Sequence, residues 1–145
     1  YTILFTSPNS DPGNKDITKF INTFIKAYPE RSLFIKSAGR ETFINLIRHS
    51  NFIIGNSSSC VIEAPALETP SVVIGNRQAG RPTTPSVFNC KYSSASIKNA
   101  INKINDSINY KTNNPYRGIN SLPKILKVLS TKPLDEIKLK RFNDL

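Results

Sequence analysis

The chain has 145 residues, 38% hydrophobic and 21% charged, with two cysteines and no methionine. That length suits one domain with a single core, and no apolar run approaches the roughly 20 residues that a membrane-spanning helix needs. Lys and Arg total 20 against 10 Asp and Glu, and the excess is uneven: residues 1–90 carry a net +3 and residues 91–145 a net +7.

Taken in chain order, Tyr1–Thr6 reads as a buried strand, stopped by the turn-rich run Ser7–Gly13. Asp16 is expected to cap a helix whose stripe is Ile17, Phe20, Ile21, Phe24 and Ile25, ending before Pro29. Ser32–Lys36 is a second strand, and Glu41–His49 a short helix carrying Phe43, Ile44 and Ile47. Asn51–Gly55 is a third strand, followed by Asn56-Ser57-Ser58-Ser59 and a helix expected from Val61 to Leu67. Pro70–Gly75 is a fourth strand and Ser86–Cys90 a weaker fifth. Amphipathic helices are expected over Ala95–Ile108 and Ile119–Leu129, with a last basic helical segment over Leu134–Phe142.

Short apolar strands alternating with helices indicate parallel βαβ units, and the nearly continuous hydrophobicity of the strands indicates a sheet covered on both faces. The class is α/β, a Rossmann-like doubly wound parallel sheet, with residues 1–130 as the domain and 131–145 as a basic helical tail. No cleavable leader is recognisable at Tyr1, and the absence of Met predicts that the chain is part of something longer. The tight basic group Lys138, Lys140 and Arg141 stands in the tail without interleaved aromatics. The charge therefore reads as a solvated face or one turned to an anionic small molecule, with neither nucleic acid nor membrane as partner. Cys60 and Cys90 lack a CxxC or His partner and read as free structural thiols of a cytoplasmic protein.

In doubly wound sheets ligands bind beyond the carboxyl ends of the strands. The richest such end is Gly55–Ser59, where small residues, hydroxyls and helix-start amides suit a phosphate; Ser and Asn equally cap helices there. Glu63, one acid among apolar neighbours, either accepts hydrogen bonds from two vicinal hydroxyls or lies on an exposed helix face. Gly75–Pro82 supplies Arg77 and Arg81, and Ser7–Gly13 supplies a third polar loop expected on the same rim. His49 reads as a partner of a helix C-terminus, and neither a metal cluster nor a nucleophile–base set can be assembled.

The run Gly55–Pro65, then Thr69-Pro70, then Ile74–Arg81, flanked by Ser7–Gly13 and Asn114–Tyr116, resembles the hydrolysing UDP-N-acetylglucosamine 2-epimerases, nearest the branch serving sialic and related nonulosonic acids. The resemblance covers about Tyr1 to Leu129. It implies the C-terminal half of a two-domain, glycosyltransferase-B-like fold that holds a UDP-sugar between its halves. On matching positions, Ser57 and Ser58 would bind the diphosphate, Glu63 the ribose, Arg77 and Asn9 the UDP pocket, and Phe43 the uracil face, with Ala38 making a backbone contact to the base. No metal or other cofactor is implied. Cys60 departs from the family's usual Gly. The family's acidic catalytic residues belong to an N-terminal domain and its essential histidine lies upstream of Tyr1, so no catalytic residue is expected in this chain. Also expected to be missing is the domain's first βα unit, whose strand belongs near the middle of the sheet. The chain alone would then be inactive, with a homodimer as its expected assembly. A glycosyltransferase of the same fold and, less favoured, a basic nucleic-acid-binding module are the rival readings.

Overall fold

The computed structural model describes residues 1–105, 114–118 and 120–131. Strand β1 (Ile3–Thr6) leads into helix α1 (Asn14–Ala27), and a 3-10 turn at Pro29–Arg31 leads into β2 (Ser32–Ile35). Helix α2 (Gly39–Arg48) precedes β3 (Ile53–Gly55); a 3-10 turn at Ser58–Cys60 and helix α3 (Glu63–Ala66) then precede β4 (Ser71–Ile74). Strand β5 (Val87–Cys90) and helices α4 (Ser94–Asn105) and α5 (Ser121–Thr131) complete the order. The expected extension of α4 to Ile108, the expected start of α5 at Ile119 and the segment Leu134–Phe142 lie outside the described residues.

Every strand pair among the described residues is parallel, in line with the α/β reading. The core is built around β4, whose side chains alternate between two covered faces. Val73 packs with Cys60, Val61 and Val87 on one side, while its neighbour Val72 packs with Cys90, Ala100 and Ile104 on the other. These clusters use the apolar stripe of α4 on one face and the turn after β3 on the other. The β1–β2 half is held instead by aromatic contacts, Phe5 on Phe24 at 5.5 Å and Phe24 on Tyr28 at 4.9 Å, and by the buried Ile21 of α1.

The strands do not form one sheet. β1 pairs with β2, Ile3 opposite Ser32 through Thr6 opposite Ile35, and a separate sheet runs in the order β3-β4-β5. Among the described residues β1 pairs with β2 alone and β3 with β4 alone, so each of β1 and β3 keeps one edge without a ladder partner. Apolar residues of both strands stay exposed, Leu4 of β1 at 37% and Ile54 of β3 at 43%. The rings of Tyr1 and Phe52, centroids 5.7 Å apart, bridge the amino ends of the two halves.

Two local expectations are corrected. Asp16 does not cap α1: Gly13, at φ 90°, holds the N-cap position without a side-chain bond, and Asp16 sits in the first turn. A positive φ favours glycine there, and the Asp16 charge still complements the helix start. The helix expected from Val61 to Leu67 is only one turn of α-helix, Glu63–Ala66. Pro65 has no N–H for the carbonyl of Val61, and its ring crowds that carbonyl, so α-helix cannot extend back through Val61. Glu63 thus opens a helix of one turn rather than following two residues into a longer one.

Candidate functional site

The loop after β3 is shaped by small polar residues. Ser57, in extended conformation, caps the 3-10 turn, its Oγ accepting from the Ser59 N–H at 3.3 Å. The Ser57 carbonyl accepts from the Cys60 N–H at 3.2 Å, and the Ser58 carbonyl accepts from Val61 and Ile62, each at 2.9 Å. Buried Ser71 on β4 donates its hydroxyl to the Cys60 carbonyl at 2.6 Å and so fastens the turn to the sheet. The capping role of Ser57 is therefore realised, while its hydroxyl stays exposed at the rim and Ser58 is half-buried.

Glu63 is half-buried, and its Oε2 is shut off from water with no hydrogen-bond partner. A carboxylate oxygen in that state is costly unless a donor reaches it. Glu63 is therefore partly exposed on its helix, with one of its two carboxylate oxygens closed off from solvent. Burial, with the nearby Glu63 charge adding to it, pushes the Cys60 thiol up to about 11 against the opposing effect of a backbone hydrogen bond from Ser57. Burial also raises the Cys90 thiol above its ordinary range. Both cysteines are free, buried and protonated at neutral pH, as structural thiols should be.

The loop after β4 ties the three rim loops together through two consecutive residues. Arg77 reaches outward, its Nη1 3.2 Å from Oδ2 of Asp11 in the loop after β1. Gln78 turns inward, its Nε2 donating to the Asn56 carbonyl at 2.8 Å. The loop begins at Gly75, φ 79°, where a side chain would collide with the Tyr92 ring. Asn9 lies exposed in the same loop as Asp11.

Ala38 and Phe43 stand apart. Ala38 occupies the N-cap position of α2 and Phe43 lies within that helix; both are half-buried. Among the described residues no hydrogen bond or ion pair joins either of them to the serine loop. His49 follows α2, its N–H bonded to the carbonyls of Asn45 and Ile47, at the helix end that its place in the sequence implies.

Asp11 and Gln78 are the rim residues that sequence reasoning missed. Asp11 was visible only as part of a turn, and Gln78 only as the neighbour of Arg77. A surface depression of about 560 Å³ lies along α1 beside Asn14, Lys15 and Lys19 and does not include the serine loop. What the rim offers chemically is a set of donors, the serine hydroxyls and Arg77, beside two buried acceptors without partners, Glu63 Oε2 and Gln78 Oε1. No three metal-ligating side chains gather among the described residues.

The family described as UDP-N-acetylglucosamine 2-epimerase matches residues 1–130. The polysialic acid biosynthesis protein P7 of Escherichia coli is 32% identical over 133 residues, 89% of this chain and 34% of that protein. A UDP-N-acetylglucosamine 2-epimerase of Neisseria meningitidis serogroup B is 31% identical over 99 residues, covering 68% of this chain and 26% of its own length. A hydrolysing UDP-N,N'-diacetylbacillosamine 2-epimerase of Legionella pneumophila is 28% identical over 141 residues, 97% of this chain and 37% of the relative. The chain belongs to the UDP-N-acetylglucosamine 2-epimerase family. It spans about a third of the length of these curated relatives. No described helix is long and apolar enough to cross a membrane.

Proposed function

We propose that this chain is the UDP-binding portion of a cytoplasmic, hydrolysing UDP-N-acetylglucosamine 2-epimerase with a glycosyltransferase-B-like architecture. Its role is to hold the nucleotide while an N-terminal domain, outside this sequence, supplies the acidic catalytic residues. The whole enzyme removes the C2 proton of the sugar and eliminates UDP. Water then adds to the resulting glycal, releasing N-acetylmannosamine or a related 2-epimerised sugar of the sialic or nonulosonic acid type. Negative charge accumulates on the departing diphosphate, and the hydroxyls of Ser57 and Ser58 with the Arg77 guanidinium are the donors that receive it. A long helix dipole has no part in this, since the serine turn is followed by only one turn of α-helix. Asn9 lines the pocket, Phe43 packs on uracil and the Ala38 backbone meets the base.

The observation that carries the reading is Glu63 Oε2, buried and unpartnered six residues after Ser57, where a ribose diol would supply the missing donors. Calorimetric titration of UDP into the chain tests it. Glu63→Ala and Arg77→Ala are each expected to weaken binding about tenfold, the equivalent of one charge-assisted contact of roughly 1.4 kcal/mol. Unchanged affinity in both variants would remove the reading.

The unpaired edges of β1 and β3 support a further part of the proposal, that the domain's first βα unit contributes a strand between them. Without that unit and the N-terminal domain the chain is inactive, and it forms a homodimer that covers the open edges. Sedimentation showing monomer alone at all concentrations would argue against the dimer.

A further inference from the structure

Gln78 is 7% exposed, yet only half of its amide is satisfied. The Asn56 carbonyl can only accept, so the Gln78 atom 2.8 Å from it is the nitrogen, and the orientation of the amide is fixed. That leaves Oε1 as a buried acceptor without a donor. An ionised phosphate carries no proton to give it, so its partner must be a group bearing an O–H or N–H.

A nucleotide sugar is linear in its parts: ribose, two phosphates, hexose. Along the chain the proposed contacts follow the same order in reverse. Glu63 stands at one end of the serine run, Ser57 and Ser58 in the middle, and Asn56, gripped by Gln78, at the other end. If Glu63 takes the ribose, the part reaching the Asn56 end is the sugar beyond the second phosphate. We propose that Gln78 is a sugar-binding residue, its side-chain carbonyl accepting a hydrogen bond from a hydroxyl or amide of the hexose while its nitrogen keeps the serine loop in register. This rests on the UDP-sugar reading of the site and assigns the half of the substrate that this reading leaves without a partner in this chain.

Titration of UDP and of UDP-N-acetylglucosamine into the wild-type chain and Gln78→Met separates the possibilities. Loss of the tether to Asn56 weakens both ligands, and the expected result is an affinity for UDP-N-acetylglucosamine lowered about tenfold more than that for UDP, the worth of one buried hydrogen bond. Equal weakening of both ligands makes Gln78 a tether alone and overturns the inference, as does unchanged affinity for both. Wild-type chain that binds neither ligand overturns the UDP reading itself. Should Gln78→Met fail to fold, the side-chain amide signals of Gln78 in wild-type chain decide between the same outcomes by NMR. They should move on adding UDP-N-acetylglucosamine and stay in place with UDP; stationary signals with both ligands bound overturn the inference.

Discussion

The carboxylate of Asp11 lies 3.2 Å from the guanidinium of Arg77, a pair 66 residues apart in sequence that closes the loop after β1 onto the loop after β4. Both side chains are about half exposed, so solvent screening leaves the bond worth less than about 1 kcal/mol to the fold. On the proposed reading its larger effect falls on the site, because Asp11 would compete for the cation assigned there to UDP. Asp11→Asn is therefore expected to shift stability by under about 0.5 kcal/mol in urea titration and to tighten UDP binding about two- to threefold. Weaker UDP binding in that variant would make Asp11 an orienting partner of Arg77 instead of its competitor.

Ser71 holds the serine turn to the sheet through a fully buried hydrogen bond to the Cys60 carbonyl. Ser71→Ala strands that carbonyl away from water, and a loss of about 1–2 kcal/mol is expected, read from the urea midpoint. Ser71→Thr, which keeps the donor and adds a methyl against a closed core, should separate lost bonding from overpacking.

Gly75 sets steric crowding against backbone strain. A Cβ there would meet the Tyr92 ring, but that ring is 72% exposed and free to swing outward. The left-handed backbone, φ 79°, cannot be relieved so easily. Gly75→Ala should cost about 1–2 kcal/mol, and the cost should persist in a Tyr92→Ala background. Full rescue by removing the ring would make the contact, not the dihedral, responsible.

The Cys60 thiol gives a pH dependence of known sign. Unfolded it titrates near 9.0, folded near 11, so between those values the folded chain keeps a proton that the unfolded chain has lost. Stability from this group is constant below pH 9 and falls as pH rises towards 11, by up to about 1.4 kcal/mol per pH unit. Urea midpoints of wild type and Cys60→Ala, compared from pH 8 to 11, should converge or cross in that window. A difference that stays flat would show that Cys60 is less shielded than its packing indicates.

Much of the architecture was legible because it follows from local pattern. After Ser71, β4 reads as an apolar run, as a strand covered on both faces should, and Val72 and Val73 do face opposite clusters. The serine run after β3 was visible as a polar break between apolar segments, and its capping role followed from residue type. The short α3 was also written in the sequence, at Pro65, but the apolar spacing of Val61, Ala64 and Leu67 pointed to a longer helix. The Arg77–Asp11 pair and the inward turn of Gln78 have no local signature, since they depend on which loops the topology brings side by side. Strand hydrophobicity likewise shows that a strand is buried without saying which neighbour it pairs with, and so the division between β1 and β3 was not foreseen from β1 and β3 themselves.

That division has a consequence for how the molecule opens. Both apolar clusters belong to the β3–β4–β5 half, whereas β1 and β2 lean on each other and on α1. The two halves are therefore expected to melt as separate cooperative units, which hydrogen exchange would show. Backbone amides of β1 and β2 exchange with solvent deuterium through a partial unfolding that leaves β4 protected, and only the protection of β4 reports the global transition.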